Sequence, residues 1–104
     1  MTPQEARDAA ERGEAVIIDV REQDEVASAH VPGITHIPMS EVTGRMAEVP
    51  RDRLIVLMCH SGMRSERVAA YLETQEGFTE TANLEGGIVA WQQAGLPVEG
   101  PAVQ

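Results

Sequence analysis

The sequence has a single cysteine, three aromatic residues and no lysine. One thiol cannot close an internal disulfide, so a disulfide-stapled scaffold is excluded. With one Trp, one Tyr and one Phe, the core must be built mainly from Leu, Ile, Val and Ala. Long apolar runs are missing too: the longest, Leu54 to Cys59, has six residues, against the roughly twenty that cross a bilayer. The first residues, Met1-Thr2-Pro3-Gln4-Glu5, lack the basic end and apolar stretch of a secretory signal, so a cytoplasmic location is expected. Basic charge is scarce. Eight arginines face seventeen acidic residues, a formal net charge of −9, which argues against nucleic acid or a membrane surface as partner.

What the chain does contain is the profile of a soluble globular protein, with 42% apolar and 24% charged residues over a length of 104. A single domain is expected over residues 1–100, monomeric, with a frayed tail at 101–104. Thr2-Pro3-Gln4-Glu5 predicts a helix start: Thr2 as cap, Pro3 at the first helical position, Glu5 in the reciprocal capping contact. Gly13 predicts its stop. Ala15 to Val20 and Leu54 to Met58 are β-branched or apolar on both faces, as buried parallel strands are. Between them the pattern predicts a short exposed helix within Arg21–Ala29, a strand at Ile34–Ile37 and a brief helix capped by Ser40. A helix over Arg64–Glu73, a strand at Phe78–Thr81 and a last helix containing Trp91 complete the chain. Alternating strands and helices imply an α/β fold with a largely parallel sheet.

Chemistry concentrates at one point. Cys59 ends the most apolar strand, where ligands bind in open α/β sheets, and a helix begins five residues later. The short connection His60-Ser61-Gly62-Met63 can curl its backbone N–H groups inward, with Gly62 supplying the geometry. Arg64 and the start of the helix, with Ser65, add positive potential. Cys59 to Arg67 carries a formal +1, which leaves −10 on the rest of the chain. Such an environment lowers a cysteine pKa and yields a nucleophile at neutral pH. The alternative, a buried cysteine acting as a small hydrophobe, fits the strand but not the loop that follows it. Spacings among Cys59, His30, His36 and His60 match no recognised zinc pattern, and neither metal nor cofactor is expected. His30 reads as a tie to backbone groups, Asp19 as an ion-pair or capping residue, Trp91 as core, and the glutamates as solvated surface.

Cys59-His60-Ser61-Gly62-Met63-Arg64-Ser65 resembles the active loop of the rhodanese family, the thiosulfate sulfurtransferases. His30-Val31-Pro32-Gly33 with Ile37 is similar to that family's amino-terminal signature, and Glu85-Gly86-Gly87 with Trp91 to its carboxy-terminal one. Val26, Ile34, Leu84, Ile88 and Ala90 depart from those signatures, and His60 stands where many members have arginine. The resemblance implies a rhodanese-like three-layer α/β/α fold. It implies Cys59 as the residue that carries sulfur as a persulfide, and His60, Ser61, Gly62, Met63, Arg64 and Ser65 as the loop that holds substrate. Arg64 is the candidate for substrate charge and loop geometry, with Arg67 a second, one helical turn away. Four residues separate Cys59 from Arg64, the sulfurtransferase count; related cell-cycle phosphatases have one more. Implied partners are a small sulfur donor, thiosulfate or a persulfide, and a thiol or cyanide acceptor. A relay taking sulfur from a partner protein, and a silent binding module of the same fold, are the alternatives.

Overall fold

The computed structural model describes residues 1–102. Four parallel strands form one sheet in the order β2-β1-β3-β4, with β1 Ala15–Asp19, β2 Thr35–His36, β3 Leu54–Met58 and β4 Thr81–Asn83. The helices are α1 Pro3–Glu11, α2 Gln23–Ser28, α3 Met63–Gln75 and α4 Gly87–Gln93. The two doubly apolar runs are the two central strands, paired from Ala15 opposite Leu54 to Asp19 opposite Met58.

Alternation along β3 divides the core. Val56 and Met58 point toward α1 and α4, where they meet Ala6, Ala9, Leu84, Ile88 and Trp91. Ile55, Leu57 and Cys59 point the other way, among Val68, Leu72 and Phe78 of the α3 side. Residues 55–58 are all essentially sealed from solvent, and each such aliphatic side chain contributes about 1.5–3 kcal/mol. Helices therefore cover both faces, and the three-layer expectation holds.

Thr2 closes the predicted capping box: its Oγ1 accepts from the Glu5 N–H, and Glu5 accepts from the Thr2 N–H. Gly13, at φ 73°, ends α1 as expected. Trp91 is core, its indole N–H donating to the Pro97 carbonyl. His30 ties to the backbone through Nδ1 and the Val26 carbonyl, 3.1 Å apart.

Two expectations need correction. The last strand begins at Thr81, not Phe78: Gly77 turns at φ 72°, the Phe78 N–H bonds back to the Leu72 carbonyl, and the ring packs in the core beneath the Arg51 guanidinium. Ser40 caps no α-helix. Residues Met39–Gly44 and Met46–Glu48 form two 3-10 segments, and the Ser40 hydroxyl donates to Glu22 instead. Ahead of the chain end, His30 and Glu99 exchange backbone hydrogen bonds, and the Ala102 N–H donates to the Ser28 carbonyl. Val103 and Gln104 lie outside the described residues. No helix among the described residues is long and apolar enough to cross a membrane.

Candidate active site

Cys59, His60, Ser61 and Gly62 join β3 to α3 at the carboxyl edge of the sheet. Gly62 turns the chain at φ 107°, a left-handed conformation that favours glycine, and its N–H then donates to Cys59 Sγ at 3.1 Å. The Ser65 hydroxyl lies 3.3 Å from the same sulfur. Backbone N–H groups of Ser61 and Ser65 add to the set of donors.

The opposite side of the loop is fixed by α4. Ile88 N–H donates to the Cys59 carbonyl and Val89 N–H to the His60 carbonyl, at 2.8 and 3.2 Å. A Cβ on Gly87 would stand 2.4 Å from the Cys59 carbonyl oxygen, so only glycine allows this approach. A peptide group points its N–H and C=O in opposite directions. Holding the His60 carbonyl against α4 therefore leaves the Ser61 N–H, in the same peptide group, turned toward the sulfur. The glycine pair and the cysteine loop are two halves of one device.

Cys59 is 1% exposed. Burial by itself pushes its thiol pKa up, but donors from Ser65, Gly62 and Ser61 outweigh burial and hold it below the ordinary value. The sulfur is buried, yet it is lined by polar hydrogens where they count.

Arg64 does not stand free. Its two terminal nitrogens clasp both carboxylate oxygens of Glu25, each at 2.7 Å, a bidentate fork. Arg64 in turn holds Glu25 down to a pKa of about 2. Glu25 also accepts the Glu22 N–H in the capping box of α2, so the Arg64 fork ties the start of α2 to the first turn of α3. The expectation that the glutamates are solvated surface fails here, since both partners of this pair are half-buried.

His60 turns its exposed side chain into a cleft of about 350 Å³ that it shares with Glu25 and Gln92. Met63 is 70% exposed at the start of α3. Ser61 is exposed, and Ser65 is fully buried behind the sulfur. Arg67 is exposed on α3 and pairs with no acidic group among the described residues. The expected ion pair of Asp19 is present, made with Arg21 two residues further along the same chain segment, just past the end of β1.

Two participants escaped sequence reasoning. Glu25 has no signal beyond its place in a polar segment. Asn83 ends β4 beside Leu57 of β3, with Nδ2 donating to the Gly62 carbonyl and Oδ1 against the Ser65 hydroxyl. A lone amide closing a strand at the carboxyl edge of the sheet is the clue that could have found it.

Comparison with known proteins agrees with this geometry. A profile of the Rhodanese-like domain family matches residues 2–94. A protein named sulfurtransferase from Allochromatium vinosum is 39% identical over 92 residues, 88% of this chain and 85% of that protein. The provisionally named sulfur carrier protein YrkF of Bacillus subtilis is 43% identical over 75 residues, 72% of this chain and 40% of that protein. In three dimensions, a rhodanese-related protein from Thermoplasma volcanium superposes with a TM-score of 0.83 at 26% identity, covering 95% of each chain.

Proposed function

The chain belongs to the rhodanese-like domain family, and from that premise we propose that it transfers sulfane sulfur through a persulfide on Cys59. The donor-lined pocket around a buried sulfur is the observation that carries this reading. The Cys59 thiolate attacks the outer sulfur of thiosulfate or of a persulfide. One S–S bond forms as the donor's own S–S bond breaks, and sulfite or a thiolate leaves with the electron pair. Charge then rests on the new outer sulfur, and the N–H groups of the His60-Ser61-Gly62-Met63-Arg64-Ser65 loop offer it preorganised hydrogen bonds. A thiol or cyanide attacks that sulfur and restores the Cys59 thiolate. Because Cys59 is the sole thiol, the acceptor comes from outside the chain. No step calls for a metal or cofactor.

One observation favours a protein or low-molecular-weight persulfide over thiosulfate as the working donor. Arg64, the loop's only guanidinium, is already neutralised by Glu25, so it offers little to a dianion in a chain of net charge −9. A silent binding module would have no need of sulfur-directed donors.

Intact-mass measurement tests the proposal. After exposure to thiosulfate or to a small persulfide, the chain gains one sulfur atom, removable by cyanide and absent in Cys59→Ser. The persulfide loads faster than thiosulfate. No added sulfur from either donor contradicts the proposal; faster loading from thiosulfate overturns the ranking of donors.

A further inference from the structure

Asn83 stands beside the cysteine loop rather than in it, at the end of β4. Its Nδ2 donates to the Gly62 carbonyl at 3.0 Å, which fixes the amide, because the reverse orientation sets oxygen against oxygen. Oδ1 is thereby turned to the Ser65 hydroxyl, 2.5 Å away. That hydroxyl has one proton and three acceptors in reach: Asn83 Oδ1, and Cys59 Sγ and the Gly62 carbonyl, each at 3.3 Å. Ser65 is wholly buried, so these groups compete among themselves.

Resting on the reading that Cys59 carries sulfur, we propose that Asn83 is a positioning residue for that reaction. It holds Gly62 in its sulfur-facing curl and competes with Sγ for the single Ser65 proton. The competition matches a charge that moves during turnover. While Cys59 is a thiolate the charge sits on Sγ, and Ser65 turns its proton there. Once a second sulfur is bound the charge sits on the outer atom, Sγ is neutral, and the Ser65 proton returns to Asn83. The buried hydroxyl has an acceptor in both states. Divided donation also keeps the sulfur reactive, because a thiolate's nucleophilicity falls as its pKa falls.

Charged groups around Sγ come from other elements. Arg64 of α3 is held by Glu25 of α2, with Glu22 nearby. His60 belongs to the loop, and Asp19 and Arg21 are paired with each other beyond β1. Neither β4 nor α4 carries a charged side chain, so Asn83 acts through hydrogen bonds alone.

Alkylation of the intact chain by iodoacetamide as a function of pH reads this directly, since Cys59 is the only thiol. Asn83→Ala gives the Ser65 proton wholly to Sγ and lowers the midpoint of the profile. Asn83→Asp, of the same size, captures that proton, adds negative charge and raises the midpoint. Each shift is about one pH unit, the size of one hydrogen bond to a charged group. Ser65→Ala raises the midpoint, and in that background Asn83→Ala no longer lowers it. A role limited to loop shape moves both Asn83 variants upward, since the N–H donors are lost together. That result, or a downward shift that persists without the Ser65 hydroxyl, overturns the proposal. If Asn83→Ala does not fold, the dependence of the Asn83→Asp shift on Ser65 decides alone: the upward shift is smaller in the Ser65→Ala background, and a shift of undiminished size there overturns the proposal. The assay uses no sulfur donor. Shifts of the stated signs in a chain that accepts no sulfur would refute the sulfur-transfer reading and leave the control of this thiol by Asn83 in place.

Discussion

The carboxyl ends of β1 and β3 lie side by side, with Asp19 paired in register with Met58, and they handle a buried anion in opposite ways. Beyond β1, the Arg21 backbone N–H, Nε and Nη2 all donate to the Asp19 carboxylate. Remaining guanidinium hydrogens go to the Glu25 and Ala29 carbonyls. Both residues are at most 3% exposed, and every polar atom of the pair has a partner. Beyond β3, the Cys59 sulfur meets backbone N–H groups and one shared hydroxyl, while the Arg64 guanidinium is held by Glu25. An anion closed by a counter-charge organises the fold; an anion held by dipoles keeps its charge available to an incoming electrophile. Adjacent positions at one edge of a sheet thus divide the structural from the chemical work.

Removing the sulfur has the largest expected effect. Cys59→Ser abolishes sulfur transfer and leaves the far-ultraviolet spectrum unchanged; turnover near wild type removes Cys59 from the mechanism. The contrast next predicts that Asp19→Ala, which strands Arg21 in the interior, lowers unfolding stability by about 3–5 kcal/mol in urea titration. A loss under about 1 kcal/mol would show that the β1 pair is not the structural end of the comparison. Gly87→Ala drives a methyl into the Cys59 and His60 carbonyls. Its overpacking cost is about 1–3 kcal/mol, and sulfur loading slows even in the fraction that remains folded. Loading at the wild-type rate would separate the glycine pair from the cradle.

The smallest effect concerns the Glu25–Arg64 pair. Glu25 has its pKa lowered from 4.5 to about 2, so it stabilises the fold above pH 4.5. That contribution is lost as pH falls from 4.5 through about 2, where the carboxylate takes up its proton. Both side chains are partly solvated, which limits the contribution to about 1 kcal/mol. Glu25→Gln makes the acid limb of the stability curve shallower by that amount and frees Arg64, so thiosulfate loads faster. An unchanged acid limb would leave the pair without energetic weight, and unchanged loading would mean that Arg64 does not meet the donor.

How much of this was legible in the sequence follows from how local each feature is. The capping box of α1, the two central strands and the Cys59–Gly62 turn depend on neighbouring residues, and each is where periodicity and glycine chemistry predict it. Phe78 misled because an aromatic beside threonine has strand character, whereas its ring serves as a core plug after the Gly77 turn. Ser40 looked like a cap but was taken by Glu22, eighteen residues earlier. Glu25 meets Arg64 across thirty-nine residues and Asn83 meets Gly62 across twenty-one, so neither contact has a spacing to betray it. Long-range polar closure of the site was the hidden part.

Ultraviolet titration of the Cys59 thiolate, in the folded chain and in the same chain unfolded by urea, decides whether the loop stabilises the charged sulfur. The midpoint lies lower in the folded chain than in the unfolded one, because inward-turned N–H groups outweigh the cost of burial. A folded midpoint equal to or above the unfolded one would contradict it.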